Sequence, residues 1–298
     1  MRKSEIFSGM AIVYYSFRVI SWCISRLPFP ALYCLSGFLC FILRDVIRYR
    51  RKVVYNNLRN SFPEKSESEI RKTVRKFYQN LADVILETIK QENLSLGQYE
   101  KRFIFSNTEV YEKIISQGKS VIVGIGHCGN WEWMGNALGL SVPVKGYAVV
   151  KPLSDKRFDK YITRLRSKTR NGGVISFKEV YRTLVRLKNQ RTMTVFAADQ
   201  TPTRGEINYW TEFLNQDTPF FLGIEKIAKS LDSGVLFLDL QRTGRGYYEG
   251  NFQLITDDPR NTKEFEITEK YVYLLQKAIR RHPDNWLWSH RRWKHKRT

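Results

Sequence analysis

The chain has 298 residues, 42% hydrophobic and 14% aromatic, enough for a sizeable buried core in one large domain or two small ones and too apolar for global disorder. Its 50 Lys and Arg against 29 Asp and Glu give a formal charge of +21. That exceeds what solubility needs and points to an anionic partner: nucleic acid, an anionic membrane surface, or an acidic carrier protein or lipid headgroup.

The first element is an apolar stretch from Met10 to Leu43, broken by Arg18 and Arg26. Its longest charge-free run, Leu27 to Leu43, contains Pro28 and Pro30 and falls short of the ~20 apolar residues of a spanning helix. No small-residue cleavage site ends it, so a signal peptide is not supported. The pattern predicts a helix over Met10 to Ser25, a break at the prolines, and a helix over Ala31 to Leu43. The basic run Arg44 to Lys52 (RDVIRYRRK) follows at once. Apolar helices, basic flanks and interleaved Tyr and Trp suit the cytoplasmic side of a membrane interface; a buried helical hairpin is the alternative.

Arg50 to Asn93 reads as helical. Ser66 with Glu69 forms a capping box, and Ile70, Val74, Phe77, Leu81, Val84 and Ile85 follow at helical spacing. From Ser120 short β-branched runs alternate with amphipathic stretches. Strands are predicted at Val121–Gly126, Val144–Val150, Val174–Phe177, Thr192–Ala198, Val235–Gln241 and Phe252–Thr256. Helices are predicted near Asn130–Leu140, Lys156–Lys168, Lys178–Leu187, Leu222–Leu231 and Phe265–Arg281. This alternation predicts an α/β fold, a central mixed sheet flanked by helices. The expected organisation is 1–45 as membrane-associated apolar helices and 46–298 as one α/β domain.

The stretch VIVGIGHCGNWEWMGNAL, Val121 to Leu138, places His127 at a strand end and Glu132 five residues on. Five apart on one helix, the two would lie ~140° apart around its axis. They can meet if Cys128-Gly129 turns the chain, Asn130 caps the next helix and Glu132 sits in its first turn. A carboxylate there could fix the imidazole tautomer, making His127 a general base. The alternatives are a histidine satisfied by backbone, or Cys128 as nucleophile beside a base. The four cysteines (Cys23, Cys34, Cys40, Cys128) include no CxxC pair. No metal site or disulfide framework is supported, and reduced, cytosol-facing chemistry fits.

The motif GHCGNWEW resembles the His-x4-(Asp/Glu) motif of the lipid A biosynthesis lauroyl/myristoyl acyltransferases. Other stretches agree with that family in order: RRKVVYNNLRNSFPEKSESEI, KRFIFSNTEVYEKIISQGKSVIVGIGH, RLRSKTRNGG, VFAADQTP and HPDNWLWSHRRWK. The resemblance implies a glycerolphosphate-acyltransferase-like fold and acyl transfer from an acyl carrier protein or coenzyme A thioester to a hydroxyl of a lipid A precursor. It implies no cofactor and no acyl-enzyme, at the cytoplasmic face of the inner membrane. His127 would be the base and Glu132 its orienting partner. Arg164 or Arg166 would correspond to a substrate-contacting arginine, with Asn130 also on the substrate side. Asp199 could support the site or the acceptor, or cap the next turn. The sequence departs from the family after Asp199-Gln200: Phe213-Leu214-Asn215 stands where a Phe-Phe-Gly segment is usual, and Glu206 in that loop could approach the site.

The closing WLWSHRRWKHKRT alternates aromatics with cations, as phosphate-bearing lipid or single-stranded nucleic acid would favour. The resemblance favours the lipid, with acyl carrier protein, anionic glycolipid and membrane surface as partners and no nucleic acid. A same-fold enzyme acting on an aminolipid or a phosphoinositide mannoside is the nearest alternative reading. A nucleic-acid-binding protein is the more distant one.

Overall fold

A computed structural model describes residues 3–169 and 171–297. The N-terminal region forms helices α1 (Lys3–Arg26) and α2 (Phe29–Phe41), broken at Leu27-Pro28, where proline cannot continue the ladder. A π-helical turn over Ile42–Val46 continues α2. Helices α3 (Arg51–Ser61), α4 (Glu67–Lys90) and α5 (Leu96–Arg102) follow. The Ser66–Glu69 capping box opens α4 as expected.

The sheet begins with β1 (Phe103–Ser106), followed by α6 (Glu109–Ser116), β2 (Val121–Ile125) and α7 (Trp131–Ser141). Next come β3 (Lys145–Val150), α8 (Lys156–Arg166), β4 (Gly172–Ser176), α9 (Val180–Arg186) and β5 (Thr192–Ala197). A hairpin of β6 (Trp210–Phe213) and β7 (Gln216–Pro219) precedes α10 (Gly223–Leu231), β8 (Gly234–Gly244), β9 (Tyr247–Thr256) and α11 (Glu266–Arg281). Among the described residues, seven strands form one mixed sheet in the order β1-β9-β8-β2-β5-β3-β4. Only the β8–β9 pairing within it is antiparallel.

The centre of the sheet explains its apolar sequence. Every residue of β2 is buried, because β5 and β8 flank it and helices cover both faces. Strands β1, β6 and β7 went unread because each is four residues long, too short for a period to register.

The N-terminal helices pack on the rest of the chain. Ser36 Oγ donates to the fully buried Asp83 on α4 at 2.5 Å. Lys90 Nζ donates to the carbonyls of Ser25 and Leu27, both at 2.7 Å. Arg18 pairs with Glu92 at 2.8 Å. Their other faces stay apolar and exposed: Trp22 is 52% and Phe38 62% accessible. Phe29–Val46, 18 residues of mean hydropathy 1.5, is long and apolar enough to cross a membrane by length and composition.

Candidate active site

Strands β2 and β5 run parallel, with Ile125 opposite Ala197. Two residues beyond each lie His127 and Asp199, so the register brings them side by side past the carboxyl ends of adjacent strands. That is where open α/β sheets form binding crevices. His127 Nδ1 lies 2.6 Å from Asp199 Oδ1, and the His127 backbone N–H donates to Asp199 Oδ2 at 2.9 Å. The second oxygen also receives the indole N–H of Trp286 at 2.7 Å. The segment carrying Trp286 is fixed to the turn: Cys128 bridges Trp286, Leu287 N–H donates to the His127 carbonyl, and Gly129 N–H donates to Asn285. Gly129 takes φ +53°, a conformation open to glycine at low cost, and this lets the chain turn from strand to helix.

These contacts set the electrostatics. Burial alone would suppress the charged form of the imidazole. The Asp199 carboxylate overrides that and raises the pKa of His127 above its ordinary value. Burial pushes Asp199 upward, but His127, with its side chain and backbone, and Trp286 hold the carboxyl well below the usual range. With Asp199 ionised, the neutral ring favours its proton on Nδ1, facing the carboxylate, which leaves the lone pair on Nε2. The Gln200 amide stands 3.2 Å from that Nε2.

The carboxylate on the imidazole is therefore Asp199, seventy-two residues away in sequence, and not Glu132. Glu132 lies in the first turn of α7 as expected, but both its oxygens accept from Arg166, at 2.6 and 2.9 Å. His127, Glu132, Arg166 and Gln200 line one cavity of about 290 Å3 between α7 and strands β3 and β5. Its remaining wall is largely apolar, with Leu138, Val149 and Val195 among the residues that line it.

The other candidates lie elsewhere. Arg164, on the same helix as Arg166, is 61% exposed and turns to Glu92 at 3.1 Å, because residues two apart on a helix face different ways. Asn130 is fully buried and is the α7 N-cap: its side-chain oxygen accepts from Trp133 N–H at 2.8 Å, and its amide donates to Glu87 at 2.7 Å. Both groups of its side chain are thus engaged inside the fold. Glu206 caps its own short turn at Thr203. The Cys128 thiol is buried, and burial pushes its pKa well up, the opposite of what a nucleophile needs. Phe213-Leu214-Asn215 forms the tip of the β6–β7 hairpin, with Leu214 and Asn215 both at positive φ, as a two-residue primed turn requires. Phe213 is buried against Trp286 at 5.9 Å between ring centroids. The departure thus falls on packing behind the site.

Sequence reasoning missed Trp286 as a ligand of Asp199, and Gln200. Both stand inside motifs noted in the sequence, HPDNWLWSH and VFAADQTP, but only the fold brings them to His127.

Residues 7–295 match the bacterial lipid A biosynthesis acyltransferase family. The chain belongs to that family. It is similar to the lipid A biosynthesis palmitoleoyltransferase of Escherichia coli (strain K12), at 24% identity over 284 residues, 92% of this chain and 89% of the relative. A lipid A biosynthesis acyltransferase of Shigella flexneri matches to the same extent. The lipid A biosynthesis lauroyltransferase of Escherichia coli (strain K12) is 35% identical over 69 residues, 23% of this chain and 22% of the relative. Membership of this acyltransferase family makes the protein an acyltransferase, with the histidine–aspartate pair at the end of its central strands.

Proposed function

We propose that the protein transfers a fatty acyl chain from an acyl carrier protein thioester to a hydroxyl of a lipid A precursor, with His127 as general base. The observation that carries this reading is a His127–Asp199 pair, its aspartate buried, whose Nε2 faces a largely apolar cavity with only the Gln200 amide against it among the described residues. The acceptor hydroxyl would donate to Nε2 from the side now held by the Gln200 amide. Its proton passes to Nε2 as its oxygen attacks the thioester carbon. The resulting oxyanion collapses, the C–S bond breaks, and the imidazolium returns the proton to the leaving thiolate. Arg166, clamped by Glu132 at the cavity wall, supplies a fixed cation for the developing negative charge, and the Gln200 amide, once displaced from Nε2, a nearby N–H donor. The buried, proton-holding Cys128 supports direct transfer without an acyl-enzyme.

The formal charge of +21 suits both an acidic carrier protein and a phosphorylated glycolipid. The exposed apolar faces of α1 and α2, followed by the basic Arg44–Lys52 run, support work at the cytoplasmic face of the inner membrane. The packing of α1 and α2 on α4 supports treating them as one folded unit with the α/β domain.

The test is an assay of purified full-length protein in nonionic detergent with an acyl-carrier-protein thioester and a lipid A precursor, read by mass spectrometry. Acylated product is expected from the wild type and none from His127→Ala. Wild-type turnover by His127→Ala would remove the mechanism. Product formed only on an aminolipid or a mannoside lipid would move the acceptor.

A further inference from the structure

We infer that a basic groove beside the end of α2 is a docking site for the phosphate headgroup of an anionic bilayer phospholipid. The inference rests on the membrane-association reading above. It adds a site formed from three separate parts of the chain.

The groove, about 1140 Å3, is distinct from the His127 cavity and shares no lining residue with it. One wall is the segment leaving α2, with Arg44, Arg48, Arg50, Arg51 and Lys52. Helix α4 adds Arg71 and Arg75, and the C-terminal segment adds Arg291. Asp45 and Glu67 are the acids on the walls. They are already engaged, Asp45 by Arg44 at 2.7 Å and Glu67 by Arg71 at 2.6 Å. Arg48, Arg51, Lys52, Arg75 and Arg291 have no carboxylate partner among the described residues.

The arrangement is held in shape. Arg48 and Arg50 sit at φ +53° and +51°, left-handed conformations that cost energy for a side chain of that size. The turn between them is pinned by the buried Tyr78, whose hydroxyl donates to the Tyr49 carbonyl at 2.7 Å. Arg50 Nη1 donates to the Ser289 carbonyl at 2.8 Å. Like charges fixed in one concave surface repel unless an anion joins them, and guanidinium groups match phosphate oxygens bidentately.

Position selects the occupant. The groove begins where the Phe29–Val46 apolar segment ends, and Val46 and Ile47, 57% and 62% exposed, stand between Arg44 and Arg48. Apolar side chains and guanidinium groups thus alternate along one exposed turn, as at the boundary between acyl chains and headgroups.

The experiment uses the full-length protein in nonionic micelles, titrated with phosphatidylglycerol or phosphatidylcholine, with bound lipid counted by native mass spectrometry. The wild type is expected to retain phosphatidylglycerol in preference to phosphatidylcholine. The triple variant R48Q/R51Q/R75Q should bind it at least tenfold more weakly. Arg75→Glu, a single exposed substitution, should weaken it in the same direction should the triple variant fold poorly. The KM for a lipid A precursor should stay within twofold in the same variants. Equal retention of the two lipids, or unchanged phosphatidylglycerol binding by both variants, overturns the proposal. A tenfold rise in acceptor KM overturns it in favour of the acceptor's own phosphates, and displacement by millimolar inorganic phosphate alone reduces it to a free-phosphate site. None of the lipid-binding readouts requires acyl transfer, so they fail independently of the proposed reaction.

Discussion

Asp199 Oδ1 stands 2.6 Å from His127 Nδ1, and its other oxygen takes two N–H donors, the His127 backbone and the Trp286 indole. One carboxylate therefore orients the ring, holds the turn after β2 and anchors the segment that follows α11. A charged group so fully engaged is expensive to disturb, since each lost partner leaves a buried charge less satisfied.

Asp199→Asn keeps the shape and loses the charge. It removes the preference for the tautomer with Nε2 free, so kcat should fall by about 10^3–10^4-fold, as in other histidine–carboxylate pairs. Circular dichroism should stay native. Steady-state kinetics with activity within tenfold of wild type would contradict the role given to the pair.

The pH profile carries a sign. The base works unprotonated, and Asp199 raises the His127 pKa, so kcat/KM should climb with pH through a value above the ordinary histidine ~6.5. In Trp286→Phe, Asp199 loses a donor and becomes a stronger base toward the imidazolium. The rising limb should then move to higher pH. A limb that stays put or moves down would break the link from Trp286 through Asp199 to His127.

Glu132 and Arg166 form a two-point pair that lysine cannot reproduce. Arg166→Lys is expected to lower kcat by about 10^2-fold, the scale of one lost oxyanion donor. The KM for the acyl donor should change far less. A variant whose defect lay wholly in KM would make Arg166 a binding residue instead.

Gly135 borders the cavity, and a Cβ there would meet nothing within 4 Å. Gly135→Leu should therefore fold normally and fill the space from one side. Competition assays with donors of different acyl length should show a shift toward shorter chains. An unchanged preference would place the acyl chain outside this cavity.

Asp83 is fully buried and joins Ser36 on α2 to Arg242 on β8 and to Arg245. Asp83→Ala strands Arg242, itself mostly buried, and should destabilise the fold by about 2–4 kcal/mol. The cost stays below that of a fully buried broken pair because Arg245 is 40% exposed and can be solvated. Denaturant melts would show it, and a loss under 1 kcal/mol would mean that α2 is not tied in through this residue. The same tie means that removing the first helices strips a wall from α4. Exposed substitutions such as Trp22→Ser and Phe38→Ser are the cleaner probes of membrane attachment.

Much of the site could be read from the sequence because its signals are local. The β2 run, the Gly129 turn and the Asn130 cap lie in ten consecutive residues, and each has its own chemical signature. Asn130 shows the limit of that reading: the features that make it a good cap also bury it, with both side-chain groups engaged inside the fold. The identity of the carboxylate on His127 depends on the register of β2 against β5, which no short window contains. Glu132, five residues away, was the visible acid; Asp199 became the actual partner through a strand pairing. Trp286 was hidden for the same reason. Arg164 and Arg166 could not be told apart until α8 had a definite rotation against α7.

The Trp286 indole has a consequence for how the enzyme comes into being. A ribosome delivers His127 and Asp199 long before it delivers Trp286. The nascent chain can form its central strands, yet it lacks a donor that steadies the carboxylate and the segment that closes the turn behind the histidine. The His127–Asp199 pair gains its full set of partners only once Trp286 has been made, so a chain that stops short of that residue holds the carboxylate less firmly.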